Sequence, residues 1–488
     1  MTSLSETSML AGASGAPSRF TIDQSIRFEH DDDAYLSKTF GSPTAAKKFT
    51  ISAWVKIPAF TDEARGGGRI MDVGGSAGSE TLIAIGSGYA GYEGVQFWQR
   101  TSSSYNFRVE TNARFRDPSA WYHLVFNYDS DNDIPEERIK IYINGSRETS
   151  LAQNTFPSDG YVSRINANSA EHRIGKTIYS SSSRANQLLA EYHFSDGYLY
   201  GPESFGEFKE DTDIWTPIEV DITYGNNGFY LKGQNSSSLG NDSSGNGNNF
   251  SSNGLAAHDQ LLDTPTNNFA VMNPLDEGNR LSSIINEGNL SLEERGGGSN
   301  QYRYGRATFD FDITDSNGWY WELLEVVKGS SIGGITQQLS VLSGNGLAFT
   351  GARGVTSRGS GGGNTYWQNQ DTTYTSVDYG VSNGAGNIIQ FCAKNGKLFI
   401  GVNGTYVQSG NPATEANPQY SSLTGRWAPY VGVYDSTSTN YHTITNFGQD
   451  GTFAGNKTAQ GNTDASGFGN FFYSPPAGAK ALCSRNNP

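Results

Sequence analysis

The stretch that decides the fold reads WYHLVFNYD at residues 121–129 and, after a short polar loop, RIKIYING at residues 138–145. In the second piece Ile139, Ile141 and Ile143 alternate with Lys140 and Tyr142, the period-2 pattern of a half-buried strand, and the first piece reads as its partner. Asn144-Gly145 is the strongest short hairpin signal in the chain, because both residues tolerate the positive φ of a type I′ turn. Working outward, FTISAWVK (49–56) alternates in the same way and predicts Trp54 facing the core. Shorter strands are predicted over residues 25–28, 35–38, 81–85, 96–98 and 106–110, with the glycines at 66–68 and 74–75 read as a loop-rich stretch.

Composition points the same way. Apolar residues make up 35% and charged residues 17%, against roughly 45–50% and 25% in ordinary globular domains. Gly accounts for 60 of 488 residues. Aromatic strands joined by Gly-, Ser- and Asn-rich turns make an all-β chain the expectation. The formal charge of -15 opposes a phosphate backbone, and no basic stripe offsets it, so nucleic acid is not an expected partner. Cys392 and Cys483 are too few for a disulfide framework and too far apart in sequence for a metal knuckle. Residues 1–19, MTSLSETSMLAGASGAPSR, lack the basic and apolar regions of a secretory signal and resemble a flexible arm. No apolar run approaches the 18 or more residues of a membrane span, so no membrane insertion is expected.

FTISAWVKI, DPSAWYHLVFNYD, RIKIYINGSRE, HRIGKTIY and LLAEYHFSDGYLYGPESFG occur in this order and together resemble a concanavalin A-like, laminin-G-type jelly roll over residues 20–208. Residues 209–272 carry GNNGFYLKGQNSSSLGNDSSGNGNNF, with one clear strand at 228–232; the segment is too polar to build its own core and is read as an ordered bridge. Strands resume at 307–313, 319–326, 388–393, 397–402 and 428–434. There NGWYWELLEV, GNIIQFCAKNGKLFIGVNGTY and RWAPYVGVYDSTSTNYHTITNFGQ resemble a SPRY-type sandwich over residues 273–450, followed by a C-terminal segment, 451–488. Residues 330–382 are rich in Gly, Ser and Thr where that family has a more compact middle. The fold expected is therefore all-β: two tandem β-sandwiches, concanavalin A-like then SPRY-like, joined by a Gly/Asn/Ser-rich bridge.

Taken whole, the chain is similar to long virion proteins of marine tailed bacteriophages. LAGASGAPSRFTIDQSIRFEHDDDAYLSKTF, YGNNGFYLKGQNSSSLGNDSSGNGNNF, DTPTNNFAVMNPLDEGN and PPAGAKALCSRNNP carry that likeness. It implies a structural or adhesive role as a tail fibre, capsid fibre or decoration. It also implies location on the virion, other virion structural proteins as partners, and a homo-oligomer such as a trimer. Host-surface glycans are the expected ligand.

A glycan site needs an aromatic face for the sugar's apolar side and polar groups for its oxygens. Two groups offer this: Tyr89, Tyr92, Trp98 and Tyr105 in the first domain, and Tyr366, Trp367, Tyr374 and Tyr379 in the second. The alternative is a polysaccharide depolymerase of concanavalin-like fold, which needs two carboxylates on one strand face, commonly spaced Glu-x-Asp-x-x-Glu. That spacing is absent, and the cluster Glu207, Glu210, Asp211 and Asp213 reads as a solvated loop. No complete Walker-type loop occurs, and the chain is not expected to be an enzyme or to hold a cofactor. Asp129, Asp131 and Asp133 mimic a calcium loop, but Ile134 and Lys140 stand where Gly and Glu are wanted. Asp242 is a turn residue or a single calcium ligand, and no metal site is assigned. Of the six histidines, His123 and His193 lie in strand-like segments and are expected to serve packing.

Overall fold

The computed structural model describes residues 20–58, 67–76, 78–86, 93–178, 184–276, 285–294, 301–327, 331–337, 351–358, 365–371, 373–377, 379–435 and 441–487. The arm at 1–19 and the glycine runs at 296–298 and 361–363 lie outside these residues. The chain divides into two compact units at residues 266 and 267.

The first unit is a sandwich of two eight-stranded antiparallel sheets. The back sheet runs Ser146–Arg147, Ile139–Ile143, Trp121–Asp129, Lys48–Lys56, Gln187–Asp196, Ser25–Phe28, Gln260–Leu261, with Phe229–Leu231 also paired to Gln187–Asp196. The front sheet runs Leu151–Thr155, Ser104–Thr111, Val95–Thr101, Ser79–Ile85, Gly68–Ser76, Glu171–Ile174, Tyr35–Thr39, Ser251–Asn253. Gly68–Ser76 is thus a central strand and not a loop.

Between the sheets lies one core built from alternate residues, among them Phe49, Ile51, Ala53 and Val55 facing Phe97, Phe107 and Val109. Trp54, one residue out of phase with that set, occupies the opposite face of the strand, 4% exposed and stacked on His123 at 4.9 Å. It was expected in the main core; strand parity places it outside. The predicted turn has Asn144 at φ 46° and Gly145 at φ 80°. A Cβ on Gly145 would also lie 2.4 Å from the Trp215 ring, so conformation and close approach both require glycine there.

Residues 209–266 fold into this first unit, contributing strands to both sheets. They bury the polar outer face of the back sheet. Arg27 pairs with Asp259 and Lys56 with Asp263 at 2.7 Å, all four side chains at most 1% exposed, and the Trp121 indole N–H donates to the same Asp263. Asp196 ties Asn227 of this segment to two loops of the sandwich: its Oδ2 accepts the N–H groups of Thr44 (2.7 Å) and Asn227 (3.0 Å), and its Oδ1 those of Ala45 (3.2 Å) and the Asn166 amide (2.6 Å). A fully buried carboxylate is tolerated because four donors replace its water.

The second unit is a sandwich of two seven-stranded sheets. One runs Ile285–Asn286, Ser291–Glu293, His442–Asn446, Trp319–Glu325, Ile388–Lys394, Lys397–Val402, Thr405–Tyr406. The other runs Gln301–Arg306, Arg426–Asp435, Ser331–Gln337, Ala352–Arg358, Thr365–Gln370, Thr373–Val377, with Phe311–Asp312 also on Arg426–Asp435. The Gly/Ser/Thr-rich middle therefore supplies four consecutive strands. The strand predicted at 307–313 forms only at 311–312, and 301–306 takes the long pairing instead. Trp321 stacks on Phe391 at 5.2 Å in the core. The C-terminal segment packs against the same unit: Glu322, fully buried, accepts the N–H groups of Phe472 (2.9 Å) and Tyr473 (2.8 Å) and the Tyr320 hydroxyl.

Among the described residues no helix is long and apolar enough to cross a membrane.

Candidate functional site

The outer face of the front sheet is assembled by register. Across six neighbouring strands, Ser37, Arg173, Asp72, Leu82, Trp98 and Arg108 fall in one row, each opposite the next. Their strand neighbours Met71, Val73, Ile83, Phe97, Phe107 and Val109 are in the core, so this row faces away from it. Beside it, Glu80 opposes Arg100, and Gln96 opposes Glu110.

Trp98 and Tyr105 meet on this face across a tight turn at Ser102-Ser103, both at positive φ, with ring centroids 5.8 Å apart and nearly perpendicular. Tyr105 is 42% exposed and Trp98 9%. The Trp98 indole N–H donates to Gln96. Arg100 lies 5.3 Å from the Trp98 centroid and pairs with Glu80; Arg108 lies 4.8 Å from the Tyr105 centroid and pairs with Glu110 through two bonds of 2.7 and 3.0 Å. These carboxylates hold each guanidinium against a ring, where the cation–π attraction adds to the ion pair. The result is an exposed aromatic ring framed by half-exposed guanidinium groups.

Further along the row burial pushes the Asp72 carboxyl up to about 7, and the nearby Glu80 charge adds to the rise. The Ile178 N–H at 3.1 Å opposes it.

Of the other aromatic candidates, Tyr89 and Tyr92 lie outside the described residues, as does the Tyr374 side chain. Tyr366 and Tyr379 are core residues, 0% and 7% exposed and stacked at 5.9 Å, with the Tyr366 hydroxyl donating to buried Glu325. They are not a surface platform, since Tyr366 lies on the inward face of its strand. Trp367, the next residue, is half-buried on the opposite face.

The back sheet carries a second polar cluster, in which Ser52 Oγ lies 2.8 Å from His123 Nε2. The Trp215 indole N–H donates to His123 Nδ1 at 3.1 Å. An indole nitrogen can only donate, so the proton of neutral His123 sits on Nε2 and is given to Ser52. Burial holds the His123 pKa down at about 3. This imidazole therefore cannot take the Ser52 proton, and the pair is not a nucleophile with its base. Close by, Glu191 sits at φ 49° in a bulge of the central strand, and the Tyr230 hydroxyl donates to it. Burial raises its carboxyl to about 7. Stacked beside it, at 4.0 Å from the Tyr230 ring, His193 is held neutral by burial. The crevice lined by Ser52, Trp54, His123, Glu191, His193 and Phe205 is too narrow anywhere for a water molecule.

Metal-type donors converge once among the described residues, at Asp32, His258 and Asp259. The Asp259 oxygens are already taken by Arg27 and by the Ala256 N–H, so a bare cation would compete with a guanidinium. Asp242 accepts the N–H groups of Tyr230, Ser244 and Asn248 and the Ser244 hydroxyl, which is turn chemistry. Asp131 pairs with Lys47, and Asp129 with Lys48. Cys392 and Cys483 are buried free thiols.

Residues 30–201 match the concanavalin A-like lectin/glucanases superfamily. The front-sheet face just described thus belongs to a concanavalin A-like domain. Among solved structures, the chain is similar to the SPRY domain of human HERC1 at 13% identity, covering 33% of this chain and 89% of that one, with a TM-score of 0.24. It is also similar to the TRIM65 PSpry domain at 9% identity, covering 36% and 88%, with a TM-score of 0.24. No curated protein matches.

The sequence named Trp98 and Tyr105 but missed Asp72, Glu80, Arg100, Arg108 and Glu110. For four of them the signal was present: Glu80, Arg100, Arg108 and Glu110 share the parity of Trp98 and alternate with Ile83, Phe97, Phe107 and Val109.

Proposed function

We propose that this chain is a glycan-binding protein carried on a bacteriophage particle, as a tail fibre, capsid fibre or decoration, and that sugar docks on the front-sheet face at Tyr105. The observation that carries the binding reading is the Trp98–Tyr105 pair, with one ring 42% exposed and flanked by Arg100 and Arg108. An exposed ring takes the apolar face of a pyranose, and guanidinium N–H groups satisfy its hydroxyl or carboxylate oxygens. The match of residues 30–201 to a superfamily described by lectins and glucanases supports it. The particle assignment draws on the phage-like segments of the sequence, and it brings with it a virion location, virion partner proteins and a homo-oligomer such as a trimer. The test is retention of the purified chain on host polysaccharide, with Tyr105→Ala and Arg108→Ala reducing it tenfold or more. Undiminished retention of both variants would move the site elsewhere, and absence of the chain from purified particles would end the virion assignment.

A second reading, cleavage of polysaccharide, is favoured by one observation: a carboxyl near pH 7, Asp72, beside a second acid, Glu80, on the face that carries Tyr105. Glu80 is committed to Arg100, and Asp72 is 1% exposed, so binding without cleavage is the stronger reading. Release of reducing ends that disappears in Asp72→Asn would reverse that order.

A further inference from the structure

The first unit contains a cavity that the glycan reading does not use. It lies where the two sheets part at one edge, between Ile139–Ile143 and Ser146–Arg147 on the back sheet and Ser104–Thr111 and Leu151–Thr155 on the front, and its volume is about 320 Å³. Two features keep it open. The back sheet ends in a two-residue strand, and a bulge between Leu151 and Gln153 breaks the register of the front edge strand, so neither edge closes on the other.

Its floor is apolar. Val109, Ile139 and Ile141 are at most 3% exposed, and Leu151 and Phe156 form half-buried walls. Its mouth is acidic. Glu137 is shared by Arg147 at 2.8 Å and Lys140 at 3.5 Å, and Arg147 also donates to the Glu136 carbonyl, whereas the Glu136 and Glu148 carboxylates line the opening without an ion pair to any described residue; three carboxylates thus stand against two cations and the balance is negative. An apolar hole whose entrance carries two carboxylates outside any ion pair and a net negative charge selects a ligand that is apolar at one end and cationic at the other.

We propose that this edge cavity binds a small amphiphilic ammonium compound, its alkyl or aryl stem on Val109, Ile141 and Leu151 and its cationic head between Glu136 and Glu148. Anionic and neutral compounds of the same stem bind more weakly, since they gain the apolar burial but meet either repulsion or no charge at the mouth. The site is separate from the Tyr105 face.

The test is a titration of the full chain, methyl-labelled at Ile and Leu, with hexylammonium chloride, 1-hexanol and sodium hexanoate. Hexylammonium is expected to shift Ile139, Ile141 and Leu151 in a saturable way and to bind tightest. Glu136→Gln/Glu148→Gln is expected to weaken it about fivefold to tenfold, the product of two half-screened ion pairs, while leaving hexanol binding unchanged. Leu151→Trp, which fills the hole, is expected to abolish binding of all three. Hexanoate binding as tightly as hexylammonium, insensitivity to the double surface variant, or shifts confined to residues remote from the cavity would each overturn the proposal. Because the double variant changes only mouth residues, its result does not depend on a core substitution being tolerated.

Discussion

Replacing Asp196 with Asn changes one atom in the network that ties residues 209–266 to the first sandwich. Each carboxylate oxygen accepts two N–H groups, so whichever way the amide turns, its NH₂ faces two donors. Two charge-assisted bonds are lost, at about 1.5–3 kcal/mol each, giving a loss of roughly 4 kcal/mol. For a unit of this size that lowers the melting temperature by about 8–16 °C. Urea denaturation supplies the free energy, and amide exchange at Thr44, Ala45 and Asn227 should accelerate ahead of the core strands. A loss below about 1 kcal/mol, with exchange at those three amides unchanged, would refute the claim that this carboxylate holds the segment in place.

Burial of Lys56 with Asp263 predicts that Lys56→Met costs about 3–5 kcal/mol by taking the ammonium away from a buried carboxylate, and that adding Asp263→Asn recovers most of it, measured by the same denaturation. Tyr366→Ala should cost about 3–5 kcal/mol in the second unit through its cavity, whereas Trp367→Ala, on the other face of the strand, should cost less than half as much. The pH profile of the first unit follows from two opposed sets. His123 and His172 are held down to about 3 and His193 well below its ordinary value, so the unfolded chain takes up protons first and stability falls as pH drops below about 6.5. Asp72 and Glu191 are raised to about 7, so their contribution is fullest below about 4 and is lost as pH rises to 7. With three histidines set against two carboxyls, denaturation midpoints should fall gently as pH drops from 6.5 to 4 and more steeply below 4; a rise on going from pH 6.5 to 4 would contradict this.

The sandwich was legible where one face of a strand is apolar, as at Ile139, Ile141 and the Asn144-Gly145 turn. It was illegible where the second face is also covered. Arg27, Ser52, Lys56 and Glu191 read as solvent-facing, yet they are buried under partners more than thirty residues distant, and no local pattern announces such a cover. The misplacement of Trp54 has the same origin. Among the candidate aromatics, parity alone separated inside from outside: Tyr366 falls in with the core set and Trp367 does not, and this phase is fixed only once the neighbouring strands are known. Trp98 and Tyr105 came together because a two-residue turn joins their strands, a proximity that sequence conveys directly. The acidic and basic residues around them come from five strands spread over residues 68–174, a separation that sequence does not bridge.

The pairing of Ser25–Phe28 with Gln260–Leu261 carries a consequence for biosynthesis. On the ribosome the opening strand leaves the exit tunnel more than two hundred residues before its outer neighbour is made, an interval of roughly ten to fifty seconds at ordinary elongation rates. Throughout that interval Arg27 and Lys56 have no Asp259 or Asp263 to meet, and one edge of the nascent sheet stands open to strands of other nascent chains. Arg27, the cation on that edge strand, is placed to act as a gatekeeper there until the correct segment arrives.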